Sequence, residues 1–581
     1  YTRMAYVREN HWKLTHLLNY NQTFYKHDIG MLLGFEEERF VKRTTDTAKL
    51  GLIDSSVGDS SSATTPSSIG GTGEEFTSRS YFGRINYAFD SRYLFEVNMR
   101  YDGSSRFAPD NRWGLFPSFS AGWRISEERF MKGLPIDNLK LRASWGKLGN
   151  NAIGNYEWQA VYNSAKYAFG GSLNNGLAIT SISNNLLEWE STAITNIGID
   201  FATLRNRLTF EAEFYNKVTD GILYRPDMYM SLGTASGPRQ NIAEVTNRGI
   251  EMTLNWQDRI GKVEYRVSGN FAYNQNKVSK YKGELQRGWV TDENGNRVYQ
   301  TNIGDVSTGG STRVIEGKMI NEYYMLQPYK GSGNGFNADG TVNINGGPRD
   351  GMIRTVDDMK WLNAMVGAGY KFYPRQNVSK SGIWYGDYIY ADLNGDGVYG
   401  NDADNEFQGC SNVPKYNFGL QASANWKGFD FSMNWSGAAG FKIYYYRLAL
   451  NSSATIKGYA IGEAIANDHY FFDPKNPNDP RTNLSSKNPR LTNNSGNDQS
   501  GMTQSSVHLQ KGDYIKLKNL TIGYTLPAVL SKKVYAQNIR FFASGENLFT
   551  ITGYEGMDPE MRTAVGYSTM RQYAFGVNIT F

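Results

Sequence analysis

Apolar and polar side chains alternate one for one along most of this chain, the period of a strand whose two faces meet different surroundings. The last residues show it most plainly, with Tyr573, Phe575, Val577, Ile579 and Phe581 interleaved by Ala574, Gly576, Asn578 and Thr580. Tyr93, Phe95, Val97, Met99 and Tyr101 alternate in the same way with Glu96, Asn98, Arg100 and Asp102. So do Phe429, Phe431, Met433 and Trp435 with Asp430, Ser432 and Asn434. The pattern predicts about fifteen strands, near 11–20, 27–40, 79–89, 92–101, 113–124, 139–147, 191–201, 207–216, 247–256, 263–273, 415–426, 429–437, 513–526, 538–548 and 571–581.

The links between these strands alternate between short and long. Short ones fall near 21–26, 90–91, 125–138, 202–206, 257–262, 427–428 and 527–537. Long ones fall near 41–78, 102–112, 148–190, 217–246, 274–414, 438–512 and 549–570. A soluble β-sandwich has no reason to keep such an order over fifteen strands. A transmembrane antiparallel β-barrel does, with tight periplasmic turns and large extracellular loops. The expected fold class is therefore all-β, with long loops outside and the C-terminus periplasmic. The first clear strand then runs downward, so an upward strand is either missing or lies in the ambiguous stretch Tyr1–Val7, since an open edge in lipid is untenable.

Composition changes little in this picture and supports it. Of 581 residues, 14% are aromatic and 62 are Gly, against only 16 Pro. That is the balance of strands and close-packed barrel walls. Mean hydropathy is −0.54 and no run of about 18 apolar residues exists, so no helical span is expected. The charges are interspersed, 61 basic and 56 acidic, with nothing that points to nucleic acid. One cysteine, Cys410, excludes an intrachain disulfide, and the five histidines form no metal-binding pattern. No nucleophile motif such as GxSxG appears, so no enzyme is expected. Tyr1 opens the chain without a signal peptide, which suggests that a preceding segment was removed or lies outside this sequence.

Several stretches resemble one family, the SusC/RagA-type TonB-dependent outer-membrane transporters of Bacteroidetes, and the resemblance covers nearly the whole chain. The most specific are KLKNLTIGYTLP (516–527), IRFFASGENLFTITGYEGMDPE (539–560) and YAFGVNITF (573–581). LEWESTAITNIGIDF (187–201), RLTFEAEFYNKVTDGIL (207–223), NIAEVTNRGIEMTLNW (241–256) and YADLNGDGVYGNDAD (390–404) add to it. Ala243 departs from the Gly usual there. The resemblance implies that 1–581 is the C-terminal portion of a 22-stranded barrel whose plug and TonB-contacting segment are not recognisable in this sequence. It further implies TonB-dependent import of oligosaccharides or peptides, with a SusD/RagB-like surface lipoprotein as partner. The competing readings are a passive porin or adhesion barrel and a barrel hydrolase.

Three sets of residues carry candidate chemistry. Asp392, Asn394 and Asp396 alternate in DLNGDG, with Gly397 for the turn and Val398 for a carbonyl, as in a calcium loop. The twelfth position is Ala403, flanked by Asp402 and Asp404, and such runs also serve as plain turns. Trp361, Trp384, Tyr385, Tyr444, Tyr445 and Tyr446 offer faces for a sugar or peptide, or else pack loops and girdles. The terminal alternation Tyr573, Phe575, Val577, Ile579 and Phe581 resembles the signal read by the barrel-assembly machinery, with a plain lipid-facing Phe as the simpler reading. The long loops carry too many aromatics to stand in water, so they are expected to fold, packing on each other and on a partner.

Overall fold

A computed structural model describes all residues except 55, 225–238, 282–287, 292–296, 301–311, 314–315, 374–376, 446–465, 492–504, 563–566 and 568. Fifteen strands form one antiparallel sheet in chain order. They are β1 Thr2–Phe24, β2 His27–Leu52, β3 Ala63–Phe89, β4 Tyr93–Ser104, β5 Trp113–Arg124, β6 Ile136–Asn150, β7 Glu190–Thr203 and β8 Leu208–Tyr224. β9 Gln240–Ile260, β10 Val263–Tyr281, β11 Tyr416–Trp426, β12 Phe429–Ala439, β13 Tyr514–Thr525, β14 Asn538–Thr552 and β15 Gln572–Thr580 complete it. Every strand expected from the alternation is present. No helix among the described residues is long and apolar enough to cross a membrane, which says nothing of strands.

Two expectations need correction. Tyr1–Val7 holds no separate upward strand, because β1 runs unbroken from Thr2 and pairs with β2 to Lys49. The region 41–78 is mostly not a loop either: β2 and β3 stay paired to Leu52↔Ala63, leaving only 53–62 as the link. Thr44, Thr45, Gly70 and Gly71 lack apolar alternation, so cross-strand hydrogen bonding, not burial, keeps them extended. At the ends of 217–246, too, strand continues to Tyr224 and resumes at Gln240.

The chain divides into two compact units, Tyr1–Trp256 with Asn274–Gly283, and Gln257–Tyr273 with Glu284–Phe581. In the first, register aligns Met31, Ile85, Val97, Phe119 and Trp145 in one cross-strand row and Leu32, Arg84, Asn98, Ser118 and Gly146 in the next. In the second, Tyr265, Ala424, Phe431, Ile522, Ala543 and Phe575 form an apolar row. Its neighbour is Arg266, Ser423, Ser432, Thr521, Ser544 and Ala574. The apolar rows are not a core: Ile85 is 49%, Ile522 51% and Phe575 83% exposed. A face this apolar and this bare belongs against lipid.

Aromatic stacks bound that face. Tyr81 and Tyr101 flank Trp113 at ring distances of 6.2 and 4.8 Å, while Phe89, Tyr93 and Trp123 stack at 6.3 and 6.5 Å near the short links. Tyr93 and Tyr101 are eight residues apart, roughly 26 Å of strand, on the order of the ~25 Å apolar band of an outer-membrane barrel. The opposite face carries charge in pairs, such as Arg142 with Asp200 and Glu213 and Asp430 with Arg540. One close approach needs glycine: a Cβ at Gly34 would run into the Phe82 ring.

Candidate functional site

The long links of the second unit fold into a body with its own core, as their aromatic content leads one to expect. Leu326, Tyr329, Met352, Ile353, Tyr390 and Tyr470 belong to it, packed against helix α1, Val356–Gly367. No strand pattern announced this helix. Its signals are Thr355 and Asp358, which form a reciprocal capping box, and Met359, Leu362 and Met365, spaced to bury one face.

The core is the place of Trp361. It is fully buried, stacks on Tyr329 at 5.2 Å and donates its indole N–H to the Asn343 carbonyl at 2.8 Å. It therefore supports the loop body and presents no face to a substrate. Trp384 and Tyr385 pack edge to face at 5.3 Å, and both line a cavity of about 880 Å³ with Phe472, Asp473, Arg481 and Arg490. Tyr385 is otherwise buried, with its hydroxyl pKa raised first by burial. Tyr444 takes part in other packing: its backbone N–H donates to the Tyr323 hydroxyl. Tyr445 sits edge-on against Tyr554 at 5.3 Å. Tyr446 lies outside the described residues. Of the five described residues in this set, only Trp384 and Tyr385 are brought together at the cavity.

What holds the cavity's two walls is a pair that sequence reading missed. Arg490 donates from Nε and Nη2 to the two carboxylate oxygens of Asp387 at 2.8 and 2.9 Å. The Asp387 side chain is 2% and that of Arg490 13% exposed. Burial pushes the Asp387 carboxyl up, with Arg490 opposing. Arg354 adds donors to the carbonyls of Leu484 and Ser486, and Tyr470 and Tyr388 donate hydroxyls to the carbonyls of Arg354 and Lys487. No local pattern marks partners 103 residues apart.

In the DLNGDG loop, Asp392 accepts from the N–H groups of Gly395 and Gly397, and Asp396 from Val398, at 2.7–2.9 Å. Gly397 has φ +78°, which the turn demands. Asn394 and Asn401 amides both donate to Asp396 Oδ2. Asp402 and Asp404 lie on one short 3-10 turn with Ala403. Asp404 is buried, accepts three backbone N–H groups, and has its carboxyl raised to about 6, first by that burial. Among the described residues, no three His, Cys, Asp or Glu side chains converge as a metal set. An ion here would draw on Asn394 and carbonyl oxygens beside the carboxylates.

At the chain's end, Tyr573, Phe575, Val577 and Ile579 lie exposed on β15, which is bonded to β14, and Phe581 lies exposed one residue beyond the strand. The quoted motif MDPE has a structural part: Lys516, 1% exposed, is held by Asp558 at 2.8 Å and Glu560 at 2.7 Å, which ties the link over β13.

The bare apolar rows, aromatic borders and charged opposite face define an integral membrane β-barrel wall. Residues 2–548 match the family described as TonB dependent receptor-like, beta-barrel. The chain belongs to that family, and with it to the bacterial outer membrane. It is 30% identical to TonB-dependent receptor P39 of Formosa agariphila, over 97% of this chain and 52% of that protein. It is 28% identical to TonB-dependent receptor SusC of Bacteroides thetaiotaomicron, over 86% of this chain and 43% of that protein. The chain spans about half the length of the curated relatives it matches. The solved RagAB peptide transporter shares the fold, with TM-score 0.75 and 21% identity over 100% of this chain and 56% of that one. These similarities agree with the SusC/RagA type expected from the motifs.

Proposed function

We propose that this chain is the membrane wall and outer mouth of a TonB-dependent importer of oligosaccharides or peptides, working with a SusD-like surface lipoprotein. The long links face outward and the C-terminus lies on the periplasmic side. The observation that carries the reading is the folded loop body with its aromatic and charged cavity, in the same compact unit as lipid-facing strands. A plain pore has no need of such a cavity. Transport by the native protein should stop when the proton-motive force is dissipated; uptake that continues unchanged identifies a passive porin. Trp384→Ala should raise the half-saturating substrate concentration roughly tenfold, because a stacked ring is worth ~0.5–1.5 kcal/mol beyond its buried area. An unchanged value removes Trp384 from the site. Purification in mild detergent should bring the lipoprotein along, and full import by transporter stripped of it would remove the partner from the reading.

A narrower proposal is calcium at 392–404. Its support is the spacing of Asp392, Asn394 and Asp396 and the Gly397 N–H that closes back on Asp392. Titration calorimetry should give a saturable calcium heat that Asp396→Ala removes; no heat from the wild-type protein leaves the loop as a turn.

A further inference from the structure

The short links carry a charge that the rest of the chain does not. In the first unit, links 25–26, 90–92, 125–135 and 204–207 hold Lys26, Arg92, Arg129, Lys132, Arg205 and Arg207. In the second, links 261–262, 427–428 and 526–537 hold Lys262, Lys427, Lys532 and Lys533. Against these ten cations stand three acids, Asp90, Glu127 and Glu128. The seven links therefore carry net +7, while the whole chain carries +5, so everything else sums to −2.

The three acids are already engaged. Asp90 pairs with Lys26 and Arg92, Glu128 with Arg92, and Glu127 with Arg124. The second unit's links contain no acid at all. All the cations except Arg92 belong to exposed residues. Large apolar side chains stand beside them, among them Phe130, Leu204, Ile260, Val534 and Tyr535, the last 92% exposed. Lys427 lies over the Trp426 ring at 5.4 Å, and that ring leads into the Phe429–Tyr524 stack.

Order along the strand selects the partner. Moving toward links 90–92 and 427–428, one meets bare apolar rows, then the stacked rings of Tyr93 or of Trp426 and Phe429, then Arg92 or Lys427 a residue or two later. At ~3.3 Å per residue, these two charges stand within roughly 7 Å of the aromatic border. Hydrocarbon, interface and phosphate follow one another in that sequence in a phospholipid leaflet, and aromatic rings favour its middle layer. An acidic protein would explain the charge but not the apolar residues set among it on link after link.

We propose that in each unit the short-link end is a docking surface for an anionic phospholipid leaflet, whose phosphates it gathers electrostatically while Phe130 in the first unit, and Ile260 and Tyr535 in the second, enter the headgroup layer. The inference rests on the membrane-spanning reading and not on import. The short links of each unit thus act as anchors that set the depth of its own strands.

The test is reconstitution of the full native protein into vesicles of phosphatidylcholine with a minority of phosphatidylglycerol, with lipid enrichment around the protein read by native mass spectrometry and spin-label contact. Wild type should enrich phosphatidylglycerol severalfold, and raising salt from 0.05 to 0.5 M should abolish most of that preference. Neutralising Lys262, Lys427, Lys532 and Lys533 to Gln should reduce it about fivefold or more. Equal enrichment in wild type and variant, or a preference indifferent to salt, overturns the proposal. So does a variant that keeps its lipid preference but loses a co-purifying acidic protein. Heat-modifiability checks that the variant folds, and the salt series on wild type decides the matter if it does not. Substrate uptake is scored separately, so failure of the import reading leaves the lipid result standing.

Discussion

Phe431→Lys is expected to destabilise the membrane-inserted protein by roughly 1–3 kcal/mol, whereas Ser432→Lys should cost far less. The two residues are neighbours on β12, so strand propensity and distance from the turn hardly differ. What differs is the row. Phe431 lies between Ala424 and Ile522, in a line that continues to Phe575. A Lys there holds an ammonium in hydrocarbon, two residues inside the Phe429 ring of the aromatic border. Ser432 lies between Ser423 and Thr521, in a line with Arg266, where a cation joins a wet, already charged face. The check is the amount of heat-modifiable folded protein in outer-membrane fractions, followed by denaturant titration in vesicles. Equal folding of the two variants would mean the faces are assigned the wrong way round.

Arg490→Met is expected to cost about 3–5 kcal/mol within the loop body, because it leaves the Asp387 carboxylate buried without its cation. The loss should appear as faster proteolysis and faster amide exchange in 466–491, with the strands unaffected. Acid should partly repair the variant. Burial already holds the Asp387 carboxyl above its ordinary value, and removing Arg490 raises it further. A carboxyl raised in the folded state favours folding at low pH, and that contribution is lost as pH rises through the folded value. Adding Asp387→Asn should recover much of the stability at neutral pH, since the buried charge is then gone. If Arg490→Met leaves proteolysis of 466–491 unchanged at every pH, the pair does not hold the cavity walls together.

The loop body shows where reading by period stops. Alternation identifies a strand because its two faces differ, and the fifteen strands had faces that differ strongly. Trp361 and Trp384 look alike in sequence, each an aromatic in a long polar link. One sits on the buried face of a helix whose cap is Thr355 and the other lines a cavity. The difference comes from contacts with residues far along the chain: Asn343 receives the Trp361 N–H, and the Asp387–Arg490 pair sets the wall behind Trp384. The loop 392–397 was legible as a turn because Asp392 and Gly397 act within a few residues of each other.

By itself the sequence determined the all-β class, the strand count, and which face of each strand is apolar. These depend on spacing within one strand, or on the residue types at a turn such as Lys427–Gly428, where both φ angles are positive and a two-residue link suffices. Tertiary structure alone decided how far strands continue past the lipid, as β2 and β3 do to Leu52 and Ala63. It also decided that Trp361 is core, and that Lys516 and Asp387 are buried with partners 42 and 103 residues away. Local pattern carries the preference of one side chain for one face. The energy of a buried charge is set by whatever chain folds over it, and that is written nowhere near the charge itself.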